Sequence, residues 1–218
     1  MMKRLFSHAG IGALISLLLL AVTGSADEKV SSPDGRIAVT IDTSGQLAWM
    51  LSVDGVTVIE KSPLAMQLYK GDCLGKRPKL ESAKTSAIDE TITPPVAEKR
   101  STIPNRCNEL RLTFDGGYAL IVRAYDDAVA WRFETALSGE IKVESETASF
   151  RFAGDYKAFR AQAKSFQTSF EAVYNETPLS EWKPEALVFA PVLLQTDKGV
   201  NLVVTEADLL AYPGRVLA

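Results

Sequence analysis

The chain has 218 residues, 46% of them hydrophobic, with 24 basic and 27 acidic side chains and a formal charge of −3. This mild, mixed-sign balance offers no basic stripe, so nucleic acid is excluded as an expected partner. The only histidine is His8 in the leader; without an imidazole the remainder cannot build a Ser-His-Asp triad, a Cys-His pair or a histidine-ligated zinc site.

At the amino terminus Lys3 and Arg4 precede an apolar stretch over residues 11–22, followed by Gly24, Ser25 and Ala26. That order reads as a secretory signal peptide over residues 1–26, and the apolar core is too short for a stable membrane anchor. Cysteine is absent between that core and Cys73, so no lipid-modified terminus is expected. Cleavage before Asp27 leaves 22 basic against 27 acidic side chains, a formal charge of −5. The expected location is periplasmic or secreted. Residues 27–218 suffice for one domain with a proper core. Outside the cytoplasm, Cys73 and Cys107 either form a bridge pinning a long connection or remain two buried, unpaired thiols.

From residue 27 the dominant period is two, which sends alternate side chains to opposite faces of a sheet. Ser32-Pro33-Asp34-Gly35 is a turn, after which Ile37, Val39 and Ile41 alternate with polar neighbours. Thr43-Ser44-Gly45 turns into Leu47, Trp49, Leu51 and Val53, and Asp54-Gly55 is a strong hairpin signal into a return strand over residues 56–59. Residues 66–69 continue the sheet. From 70 to 106 the chain turns polar, with Pro78, Pro94, Pro95 and Pro104, and reads as an irregular excursion with at most short strands. Residues 110–114, the Gly116-Gly117 turn and residues 118–125 form a hairpin. Asp126-Asp127 turns into Val129, Trp131 and Phe133, and residues 143–152 form a further strand.

Residues 155–174 carry Phe159, Ala163, Phe166, Phe170 and Val173 at helical spacing, although their aromatics would also suit extended chain; pattern alone favours a helix. Residues 187–194 form an apolar strand, Asp197-Lys198-Gly199 its turn, and residues 200–204 the return. The expected fold class is all-β, a large antiparallel sandwich built of hairpins.

Several side chains invite a functional reading. Glu206 and Asp208 at i and i+2 would project to one face for a cation or sugar hydroxyls, or form an acidic turn at the sandwich edge. Asn108-Glu109 at a strand start reads as structural or as a sugar contact. Trp49 and Trp131 lie in phase with the apolar face and are assigned to the core. Trp182, in the polar stretch Ser180-Glu181-Trp182-Lys183-Pro184, is less constrained.

The motifs occur in a telling order. Ser32-Pro33-Asp34-Gly35, Asp54-Gly55-Val56, Cys107-Asn108-Glu109-Leu110 and Arg123-Ala124-Tyr125-Asp126-Asp127 lead into Trp131-Arg132-Phe133. Ser169-Phe170-Glu171 before Tyr174, Pro178-Leu179-Ser180-Glu181, Thr205-Glu206-Ala207-Asp208-Leu209 and Tyr212-Pro213-Gly214 follow. Together they resemble the amino-terminal domain of glycoside hydrolase family 97 over nearly the whole of residues 27–218.

That resemblance implies a galactose-mutarotase-like super-sandwich, placed ahead of a catalytic β/α barrel and incomplete here at its carboxy-terminal edge. It implies hydrolysis of α-glucosides by inversion or α-galactosides by retention, dependent on calcium, with the catalytic carboxylates on the barrel. No residue of this chain is assigned a catalytic role. The resemblance implies Glu171 as a calcium ligand from the sandwich, matched locally by Tyr174 and Leu179-Ser180-Glu181; the bland reading is a solvated loop carboxylate. It also favours strand and loop over a helix around Glu171, and that version is adopted. The expected partners are an α-linked oligosaccharide and the catalytic barrel, and the chain alone is expected to be inactive. A free-standing carbohydrate-binding or adhesion module is the alternative.

Overall fold

The computed structural model describes residues 27–96, 99–183, 185–207, 214 and 216–217. The expected signal peptide over residues 1–26 lies outside the described residues, as do Asp208 and Tyr212-Pro213. Sixteen strands and one short 3-10 turn make up the regular structure among the described residues. In chain order the first eight strands are β1 (Glu28–Ser31), β2 (Ile37–Asp42), β3 (Ala48–Val53), β4 (Val56–Leu68), β5 (Cys73–Leu74), β6 (Leu80–Ile92), β7 (Ile103–Phe114) and β8 (Tyr118–Ala124). There follow β9 (Val129–Thr135), β10 (Val143–Ala148), β11 (Arg151–Phe152), β12 (Lys157–Ala163), β13 (Asn175–Pro178), β14 (Leu187–Gln195), β15 (Asn201–Val204) and β16 (Val216–Leu217). The 3-10 turn, Leu179–Glu181, follows β13.

The strands form three antiparallel sheets. In the first, the order is β1-β2-β3-β4-β10, with β5 and β11 also on β4. A second runs β6-β7-β8-β9, and a third β13-β12-β14-β15 with β16 beside β14. The first two face each other across one core, in which Val39, Ile41, Leu51 and Leu64 meet Leu110, Leu112, Leu120 and Val122. Each of these comes from the apolar phase of its strand, so period two alone sorts core from surface. Trp49 is buried there, donates from Nε1 to the Ser149 carbonyl at 3.0 Å, and lies 6.3 Å from the Trp131 ring. Both tryptophans therefore serve the core as expected.

The third sheet has its own core of Tyr156, Ala158, Val188, Val192, Leu194 and Val204. Phe150 and Phe152 pack against both cores and join the two. Asp54 and Gly55 take φ values of 51° and 78°, the left-handed pair that a two-residue hairpin loop requires.

The segment over residues 70–106 is more regular than expected. β6 and β7 form a ladder from Leu80 opposite Phe114 to Ile92 opposite Ile103. Almost every residue of β6 is exposed, so neither face carries an apolar phase and its sequence, with three acids and a lysine, has no strand signature. β4 is likewise one thirteen-residue strand, running through Pro63, rather than two pieces. Residues 143–152 divide into β10 and β11. Residues 155–174 form no helix: β12 ends at Ala163, and the chain then runs without regular structure to β13. Cys73 and Cys107 are both free thiols, the first half-buried in β5 and the second buried in β7. Among the described residues no helix is long and apolar enough to cross a membrane.

Candidate functional site

Glu171 lies in the strand-free segment between β12 and β13, with its side chain exposed. The segment is held in place by its neighbours. Phe170 adopts φ 56° and sets its ring edge-on to Phe189 of β14, 5.8 Å between centroids and 87° between planes. The Tyr174 hydroxyl donates to the Pro191 carbonyl at 3.1 Å, and Ser165 Oγ closes a small turn with the Gln167 carbonyl at 3.1 Å. The Glu171 carboxylate itself has no hydrogen-bond or ion-pair partner among the described residues.

Several other carboxylates are committed to the fold. Glu109 accepts from Arg123 Nε at 2.7 Å, and the Asn108 amide donates to the Ser31 carbonyl at 2.8 Å, so this pair ties β7 to β8 and β1. Glu134 takes both guanidinium donors of Arg111 at 3.1 Å, which holds its carboxyl below the usual range. Asp155 caps the 3-10 turn through the Ser180 hydroxyl at 2.7 Å and amide at 2.8 Å, and these bonds lower its pKa. Asp42 is paired with Lys61 and accepts from the Ser44 hydroxyl and amide, which brings its pKa down to about 2. Glu206 is half-buried beyond β15, and its proposed companion Asp208 lies outside the described residues.

A cavity of about 770 Å³ opens between β10–β11 and the third sheet, lined by Phe150, Phe152, Trp182, Leu194 and Leu217, with Asp155 and Ser180 at its polar side. The Trp182 indole N–H is buried there without a hydrogen-bond partner among the described residues. Over its ring sits the Arg160 guanidinium, 5.1 Å from the centroid. Arg160 is 9% exposed and donates to Thr177 Oγ1 at 3.2 Å and Gln162 Oε1 at 3.1 Å. It has no carboxylate partner among the described residues. The sequence reading missed Arg160; its one signal is a cation set among the alanines of β12, at a register shift between Phe159 and Ala161.

Calcium requires six to eight oxygens, several of them anionic. Among the described residues no group of three or more acidic, cysteine or histidine side chains converges on one point. Glu171 is an exposed carboxylate with no partner among the described residues, and it is not a metal site by itself.

The fold and these side chains define an antiparallel β-sandwich domain in which Asp42, Glu109, Glu134 and Asp155 brace strands and turns. Residues 30–218 match the family described as Glycosyl-hydrolase 97 N-terminal. The chain belongs to glycoside hydrolase family 97 and carries its amino-terminal region. It is 29% identical over 214 residues to a retaining alpha-galactosidase of Bacteroides thetaiotaomicron, covering 94% of this chain and 32% of that protein. It is 29% identical over 191 residues to a probable retaining alpha-galactosidase of Streptomyces bingchenggensis, covering 86% and 29% respectively. Among solved structures, a family 97 enzyme from Pseudoalteromonas sp. strain K8 in complex with acarbose superposes with a TM-score of 0.76 at 26% identity, over 87% of this chain and 30% of that one. A variant of a family 97 enzyme from the same strain has been solved in complex with panose. A beta-arabinopyranosidase aligns with a TM-score of 0.69 at 25% identity, over 78% of this chain and 30% of that one. The chain thus spans about a third of the length of the relatives it matches.

Proposed function

We propose that this chain is the amino-terminal supporting sandwich of a secreted, calcium-dependent α-glycosidase acting on α-linked oligosaccharides. It braces the catalytic part, closes one wall of the sugar site and supplies Glu171 to the calcium. The carrying observation is the match of residues 30–218 to the family's amino-terminal region, in relatives about three times as long. Retaining alpha-galactosidase relatives and relatives seen with panose and acarbose support pyranosides joined by α-linkages as the substrate class. Leader residues 1–26 support export.

The test is hydrolysis of nitrophenyl α-galactoside and α-glucoside by the purified chain, with and without calcium. No release above the uncatalysed rate is expected; turnover by the chain alone would overturn the proposal.

A further inference from the structure

A strand at the edge of a sheet presents a row of unpaired N–H and C=O groups, and proteins keep such edges short, bulged, interrupted by proline or charged. Among the described residues β6 has one sheet neighbour, β7, so its other side is an open edge. From Ser82 to Ile92 its ladder with β7 runs without a register shift, and the stretch holds neither proline nor glycine. All of β6 except Leu80 and Ile88 is exposed. The one guard left on this edge is charge, carried by Glu81, Lys84, Asp89 and Glu90.

Lys84 is the cation among them, and its own fold does not neutralise it. Directly across the ladder stands Arg111, a like charge whose guanidinium is already taken by Glu134. Lys84 itself has no carboxylate partner among the described residues. A foreign strand is therefore repelled unless it sets an acid opposite Lys84, since facing residues of an antiparallel pair share one face.

A second β6 meets that condition. Two identical strands related by a twofold axis perpendicular to the sheet pair antiparallel, with the residue on the axis facing its own copy. With the axis at Ala87, Lys84 lies opposite Glu90 of the second copy at both ends of the contact, Thr85 faces Asp89, and no like charges meet. Moving the axis by one residue sets Lys84 against Ile88 or Ile92 and loses both ion pairs. We propose that β6 is a homodimerisation edge, through which two copies of this chain pair antiparallel about Ala87 and join their four-stranded sheets into one continuous sheet. The second copy is the fitting occupant because the charge pattern is complementary to itself in a single register. The inference stands independently of the glycosidase function proposed above.

Sedimentation velocity of the purified chain up to about 100 µM tests it, with a monomer–dimer Kd on the order of 10 µM expected for a contact confined to one strand. Lys84→Glu sets like charges opposite each other twice, as does Glu90→Lys, and each should raise the Kd by about tenfold or more. The two substitutions together restore both pairs in reversed polarity and should return the Kd to within about threefold of the parent chain. Because Lys84 is exposed, Lys84→Glu should leave Tm within about 2 °C, so its effect reads the contact and not the fold. Mild oxidation gives a second measurement. Ala87→Cys should yield a dimer crosslinked through position 87, where facing Cα atoms lie about 4.5–5.5 Å apart. Thr85→Cys, with its two copies about 14 Å apart, should not crosslink through position 85. A chain that stays monomeric at the highest concentration, a Kd indifferent to Lys84→Glu, or crosslinking at position 85 in preference to 87 would each overturn the proposal.

Discussion

Replacing Asp42 by asparagine tests the electrostatics that close the β2–β3 turn. The Asp42 carboxylate accepts from Ser44 Oγ at 2.6 Å and Ser44 N at 2.7 Å and pairs with Lys61, with only 10% of its side chain exposed. Hydrogen bonding from Lys61 and then Ser44 outweighs its desolvation and lowers its pKa from 3.8 to about 2. A shift of that size corresponds to about 2 kcal/mol of folding free energy, present above the unfolded pKa and lost as pH falls through the folded one. Near pH 2.5 about a third of it remains. Asparagine keeps an acceptor for the Ser44 amide but no charge, so Asp42→Asn should be destabilised by about 1–2 kcal/mol at pH 7. With a urea slope of roughly 2 kcal/mol/M, the midpoint falls by about 0.5–1 M. Urea titrations of both proteins at pH 7, 5, 3.5 and 2.5 should show a gap that is constant between pH 7 and 5 and closes below pH 4. A gap as wide at pH 2.5 as at pH 7 would refute the reasoning, because the loss would then be steric rather than ionic.

Three further outcomes follow from the core and its turns. Gly75 has φ 83°, and a Cβ there would lie 2.8 Å from the Leu64 carbonyl oxygen, so Gly75→Ala should cost about 2–4 kcal/mol by urea titration. A loss below 1 kcal/mol would mean the backbone relaxes around it. Trp49→Phe gives up the indole bond to Ser149 and should cost more than Trp182→Phe, whose indole N–H has no partner to lose. The reverse ranking in the same assay would contradict the hydrogen-bond assignment. Under native conditions one thiol, Cys73, should react with a bulky maleimide, whereas Cys107, 1% exposed, should react only on unfolding. A Cys73–Cys107 crosslinked peptide in the unreduced digest would overturn the free-thiol assignment.

Much of the sheet framework is written in local chemistry. Where one face of a strand is more buried than the other, as in β2, β3 and β9, the apolar phase is visible in a single strand and fixes both existence and facing. Asp54-Gly55 and Gly116-Gly117 punctuate these hairpins because left-handed backbone is inexpensive there. The charge and hydropathy of residues 1–26, and the lack of histidine after residue 26, are likewise properties of the chain and need no fold.

β6 shows where that legibility ends. Its partner β7 supplies the whole ladder, and with nearly all of β6 in solvent no side-chain alternation records the pairing. The segment at 164–174 fails in the opposite sense, since its aromatics mimic helical spacing while their contacts, Phe170 on Phe189 and Tyr174 on Pro191, are made to a strand some twenty residues later. Arg160 over Trp182, and the cavity that Trp182 lines, exist only because the third sheet and the turn after β13 meet β10–β11. The sequence by itself determined the all-β class, the hairpin punctuation and the family-like order of motifs, because each is carried by neighbours along the chain. Tertiary structure alone decided that Glu109 and Asp155 are braces, that Cys73 and Cys107 stay apart, and that Glu171 stands uncommitted amid exposed aromatics, because those outcomes depend on distances between residues far apart in sequence.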